Sequence, residues 1–123
     1  MLANPYQKYQ QNQIDTASPG KLLIMLYDGA LKFIKAARDG IADEDIEKAN
    51  NNIIKVQDIV TELMTFLDMD KGGDISANLY NLYEYMSSRL VEANIKKDEE
   101  ILTEVEGLLK DMKGTWQEAI LKA

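Results

Sequence analysis

The chain has 123 residues, the size of one domain, and its 46% hydrophobic and 28% charged residues suit a single fold with a real core. Its 14 basic against 21 acidic side chains leave a formal net charge of −7, which sets the average surface against nucleic-acid phosphates. Cysteine and histidine are both absent, which excludes disulfides, thiolate or imidazole metal sites, Cys or His nucleophile chemistry and Ser-His-Asp triads.

Residues 1–17 read as a flexible N-terminal arm, polar and rich in Gln and Asn, with Tyr6, Tyr9 and Ile14 its bulky apolar groups after Leu2. The opening Met1 to Lys8 has no basic stretch followed by an apolar run, and the longest aliphatic block, Leu22 to Leu26, is too short to cross a bilayer. A cytoplasmic protein without membrane insertion is expected. At Ser18-Pro19 a helix starts: Ser can accept the orphan N–H groups, and the fixed φ of Pro suits the first helical position. The first helix is expected to run to about Gly40, read as a left-handed C-cap, with Leu23, Leu26, Tyr27, Ala30, Ile34 and Ala37 as its core stripe.

The second helix has the cleanest period, Ile46, Ala49, Ile53, Val56, Val60, Leu63 and Leu67, after acids at Asp43, Glu44 and Asp45 that favour a helix N-terminus. It is expected to end in Asp68-Met69-Asp70-Lys71-Gly72-Gly73, where paired glycines allow a reversal. A third helix follows with the stripe Ile75, Leu79, Leu82, Met86, Leu90 and Ala93. Asn94 with Lys96-Lys97-Asp98 makes the next turn, and the fourth helix presents Ile101, Val105, Leu108, Met112 and Trp116. No strand pattern is present and the connections are short, so the prediction is an all-α, antiparallel up-down four-helix bundle over 18–123 with a mobile N-terminal arm.

Candidate chemistry is thin. Asp68, Asp70 and Gly73 imitate a calcium loop, but Gly72 and Leu79 stand where a fifth-position ligand and a bidentate Glu belong. Ser18-Pro19-Gly20-Lys21 matches S-x-x-K without its companion motifs, and Gly20-Lys21 is no Walker A because Asp15 and Leu22 occupy two of its essential positions. Paired acids such as Glu44-Asp45 and Glu99-Glu100 sit at helix starts, where they complement the helix dipole. Di-iron bundles need histidine. No catalytic residue, cofactor or metal is expected, and the protein is read as a non-enzyme.

Apolar groups off the seams carry more information. Tyr80, Tyr83 and Val91 lie on a second stripe of helix 3, and Ile59 and Phe66 flank the heptad seam of helix 2. Ordinary bundles also use broad apolar arcs, but an aromatic and polar mixture suits a surface that is alternately solvated and covered by a partner segment.

Thr16-Ala17-Ser18-Pro19 followed by Leu22 and Leu26-Tyr27-Asp28-Gly29-Ala30 resembles the signature of the flagellar secretion chaperone family FliS. The resemblance continues through Leu67-Asp68, Asn78-Leu79-Tyr80-Asn81-Leu82-Tyr83, Ala93-Asn94 and Trp116, covering nearly the whole chain. It implies a cytoplasmic helical bundle that binds the C-terminal segment of new flagellin, prevents premature polymerisation and delivers it to a component of the flagellar type III export gate. It also implies that the arm, here Tyr6, Tyr9 and Ile14, moves between covering the bundle and making way for the client. From the wheel positions, Ile59, Phe66, Tyr80, Tyr83 and Val91 are the expected client-binding residues; Tyr27 and Asp28 are read as structural. The same apolar flanks would serve a weak homodimer, and the alternative reading is a helical oligomerisation module without flagellin specificity.

Overall fold

The computed structural model describes residues 18–122, which form four helices with no strand among them: α1 (Pro19–Ala42), α2 (Ile46–Thr65), α3 (Met69–Lys96) and α4 (Glu99–Lys122). The expected arm, with Tyr6, Tyr9 and Ile14, lies outside the described residues. Ser18 caps α1 as its sequence suggests, its extended backbone leaving the hydroxyl to accept from the Lys21 N–H at 3.3 Å, with Pro19 at the first helical position. Connections of two or three residues then force each helix antiparallel to the one before it.

Cross-links show how the ring closes. Asn94 on α3 donates to Asn50 on α2 at 2.9 Å, and Arg89 on α3 donates to Glu104 on α4 at 2.8 Å. Lys113 pairs with Asp28, and Arg38 with Glu106, each at 2.6 Å, so α4 runs back along α1 as well. Each helix touches its two ring neighbours, and the α1–α2 contact is the most extensive. The core is the space they enclose. It holds Tyr27, Ala30 and Ile34 from α1, Ile53, Val56 and Val60 from α2, Tyr83, Met86 and Leu90 from α3, and Leu102, Val105 and Leu109 from α4.

Five local expectations are corrected. Gly40 is not a left-handed cap: α1 continues to Ala42, and a Cβ on Gly40 would stand 2.7 Å from the Ala49 backbone nitrogen. Glycine is there because two helix backbones meet, and the left-handed residue of this turn is Glu44, with φ of 58°. The second reversal comes earlier than the paired glycines. α2 ends at Thr65 because Asp68 offers a stronger stop, its carboxylate accepting from the N–H groups of Asp70 and Lys71 to cap α3.

Gly72 and Gly73 therefore fall inside α3, where Gly73 breaks the helical geometry with φ of 54° and ψ of −130°. That kink also changes the phase of the α3 stripe. Ser76 faces inward and donates to the Asp68 carbonyl at 3.0 Å, while Ile75, assigned to the seam, is exposed. Ile46 is exposed too, because it opens α2 at the end of the bundle. In α4 the seam runs through Leu102 and Leu109, leaving Leu108 only half-buried.

Candidate functional site

Among the described residues, one end of the bundle is open. Pro19, Gly20 and Leu23 from the start of α1, Leu63, Phe66 and Leu67 at the end of α2, Tyr83 of α3, and Trp116 and Ile120 near the end of α4 line an apolar cavity of about 250 Å³. Sequence explains the opening. α1 begins only at Pro19, so the last turn of α2 and the last turns of α4 run out beside few α1 side chains. Gly20 admits the end of α4, since a Cβ there would lie 3.0 Å from the Ile120 side chain.

The floor of this cavity is polar at one point. The Tyr27 and Tyr83 hydroxyls are 2.6 Å apart in the interior, bridging diagonally opposite helices α1 and α3. Burial, and then the bond to Tyr83, push the Tyr27 phenol above the usual tyrosine range. Burial also raises Tyr83, with the neighbouring Tyr27 hydroxyl and then Trp116 acting in the opposite direction. Both phenols stay neutral at physiological pH, so they act as hydrogen-bonding groups and not as bases.

The five expected binding residues divide. Tyr83 is 1% exposed and Ile59 6%, so neither stands on an outer surface as expected. Tyr83 belongs to the main seam with Met86, Leu90 and Ala93, because its hydroxyl finds Tyr27 and the ring can be buried without an orphaned polar group. Ile59 lies on the flank of α2 that faces α1, where helix packing is most extensive. Phe66 lies seven residues further along the same flank, past the last helical turn, and is 43% exposed at the cavity mouth. Tyr83 and Phe66 are thus brought together by the cavity, with Tyr83 lining it from inside.

Tyr80 and Val91 are exposed on one face of α3, three turns apart. The Asn50–Asn94 hydrogen bond sets the register of α2 against α3 and puts exposed Ile54 and Val91 one turn away, on the same outer side of that seam. The opposite side of α3 is closed by polar links. Tyr85 donates to Glu104, Arg89 holds both Glu104 and Glu92, and Lys96 completes the chain to Glu92. The Tyr85 hydroxyl, followed by Arg89, keeps Glu104 below the usual carboxylate range, and Lys96 does so for Glu92.

Pro19, Gly20, Leu23, Trp116 and Ile120 were not assigned to a binding site from sequence. Ile120 alone gave a signal, as an apolar residue off the α4 seam; a helix wheel carries no information on where another helix ends.

A family model described as flagellar protein FliS matches residues 2–123. The flagellar secretion chaperone FliS of Bacillus subtilis is 45% identical over 119 residues, covering 97% of this chain and 88% of its own length. The Salmonella typhimurium protein of the same name is 36% identical over 114 residues, covering 92% of this chain and 84% of its own. A crystal structure of a bacterial flagellar chaperone superposes with a TM-score of 0.80 over 96% of both chains; at 20% identity that likeness speaks to the fold.

Proposed function

The chain belongs to the FliS family of flagellar secretion chaperones, and on that premise we propose how it performs the flagellin export role. It holds the C-terminal segment of newly made flagellin on apolar surface until export, which prevents premature polymerisation. The observation that carries this reading is the open cavity at one end of the bundle, continued outward by Phe66 and accompanied by the exposed Tyr80, Ile54 and Val91 on the α2–α3 side. A segment that normally buries its apolar face against other flagellins needs a substitute surface, and shallow, divided apolar patches offer one without making the empty chaperone aggregate.

The role is that of a chaperone and not an enzyme. The client folds onto the bundle as it binds, and the ordering entropy keeps the complex releasable. Release occurs at an export-gate component in the cytoplasm. In this reading Tyr6, Tyr9 and Ile14 of the arm cover client-binding surface of the empty chaperone and make way for the client. A docked arm lowers apparent client affinity by the fraction of time it occupies the site.

Calorimetric titration of the full chain with the C-terminal segment of flagellin from the same organism tests this, with the N-terminal segment as control. Saturable one-to-one binding of the C-terminal segment alone, with a large negative heat-capacity change, is expected. Absence of binding at micromolar concentration, together with a stable dimer of the chain, would replace this reading with that of a self-associating module.

A further inference from the structure

Phe66 and Leu67 line the cavity just past the end of α2, where their N–H groups reach the Leu63 and Met64 carbonyls in bonds of 3.2 Å. Phe66 is exposed, so burial does little to fix it. The next residue, Asp68, is clamped: its carbonyl accepts from the Gly72 N–H at 2.7 Å and from the Ser76 hydroxyl at 3.0 Å, and its carboxylate accepts from the Asp70 and Lys71 N–H groups. Along an unbroken helix, residues eight apart are about 12 Å from each other, so the Asp68–Ser76 bond exists only because the chain folds back at Gly73. Both glycines serve that fold-back, for different reasons. Gly73, at φ of 54° and ψ of −130°, has a backbone that residues with side chains avoid, and nothing crowds it, so the demand there is conformational. Gly72 faces the latch itself, and a Cβ there would collide with the Ser76 oxygen. Apolar burial does not explain the turn, because Met69 and Ile75 on either side of the kink are exposed whereas Ser76 is buried.

We propose that Ser76 is a positioning residue of the client site: its hydroxyl, joined to the Asp68 carbonyl across the Gly73 kink, holds Phe66 and Leu67 in place as a wall of the cavity before a client arrives. The inference rests on the client-holding function above and names the residue that prepares that site. A wall fixed in advance removes the need to order the mouth on binding, so the latch raises affinity without touching the client. A serine suits the task. It is small enough to be buried against Gly72, and its O–H meets a carbonyl that the Gly72 N–H already serves, so losing the hydroxyl orphans no acceptor.

The test joins hydrogen exchange to a double-mutant cycle, both on the full chain. Without client, Ser76→Ala is expected to speed amide exchange at Phe66, Leu67 and Gly72 about tenfold or more, with the core amides of Val56 and Leu90 and the urea midpoint unchanged. Calorimetry with the C-terminal flagellin segment is then expected to show binding weakened about fivefold by Ser76→Ala and about fivefold or more by Phe66→Ala, while Ser76→Ala adds less than about twofold to Phe66→Ala. A serine with a merely structural role would not show that coupling. Unchanged exchange at the mouth overturns the inference, as does binding of Ser76→Ala within about twofold of the native chain, or losses that multiply in the double variant. Where Ser76→Ala does not fold, Gly73→Ala, which opposes the same fold-back from the backbone and leaves the hydroxyl in place, replaces it in both measurements. A native chain that fails to bind the segment overturns the client reading, and the inference with it; a native chain that binds while Ser76→Ala binds alike overturns the inference alone.

Discussion

Where α1 hands over to α2, the bundle is closed by small residues: Gly40 lies against the backbone of Ala49, and Ala37, Ala49 and Ala93 are fully buried. Polar links finish that end, with Arg38 reaching Glu99 and Glu106, Asn94 reaching Asn50, and Lys97 reaching Asn94. At the other end the residues are large, Leu63, Phe66, Tyr83, Trp116 and Ile120, and the helices stop at different heights, so the same four-helix scheme leaves a cavity. Close backbone packing excludes a guest, whereas large side chains that meet imperfectly leave room for one. The first end is packed for stability, and the second leaves the apolar room that the proposed binding would use.

The largest effect should come from the closed half. Ile34→Ala removes a fully buried side chain from the core and is expected to cost about 3 kcal/mol, read from urea unfolding, while Ile120→Ala at the cavity rim should cost less than about 1 kcal/mol. Comparable losses at both positions would mean that the open end is packed as tightly as the closed one. Gly40→Ala sharpens the contrast with a single methyl group. Helix propensity favours alanine by up to about 1 kcal/mol, but contact with the Ala49 backbone outweighs it, and a net loss of about 1–2 kcal/mol with a lower Tm is expected. A more stable Gly40→Ala protein would show that the α1–α2 approach is loose.

Between the two ends stands the phenol pair. Tyr27→Phe should cost about 1–2 kcal/mol, and the Tyr27→Phe/Tyr83→Phe pair less than the sum of the single changes. The pair also sets an alkaline limit. Both phenols are raised above the ordinary value of 10.0, so below that pH folded and unfolded chains hold the same tyrosine protons. Above it the unfolded chain loses protons that the folded chain keeps, and stability falls as pH rises. Urea midpoints at about pH 9 to 11.5 should fall more steeply for the native chain than for the double Phe variant. The smallest stability effect is expected at Phe66, exposed at the mouth. Phe66→Ala should change stability by less than about 1 kcal/mol yet weaken client binding by more than about 1 kcal/mol, measured by calorimetry; the reverse would return Phe66 to the core.

Much of the fold was legible because it depends on local chemistry. Ser18-Pro19 marks a helix start wherever it occurs, and the spacing from Ala49 through Leu63 describes a buried stripe without knowledge of its neighbours. The errors came where two local signals competed. Gly72-Gly73 suggested a break, but the Asp68 carboxylate caps a helix ahead of it, and the glycines became a kink within α3 that turned Ile75 outward. For the site, the wheel identified side chains outside each seam but could not say whether another helix covers them.

Ile59 and Phe66 lie on one flank, yet the first is buried within the bundle while the second, just past the end of α2, sits beside the first residues of α1 at the cavity mouth. Composition, capping and periodicity in the sequence alone determine four antiparallel helices and an acidic protein without thiol or imidazole chemistry, because those properties arise within a few residues of each position. Tertiary structure decides that Tyr83 meets Tyr27, that Gly40 meets Ala49 and that Ile120 closes on Gly20, because these contacts depend on where four helices of unequal length begin and end beside one another.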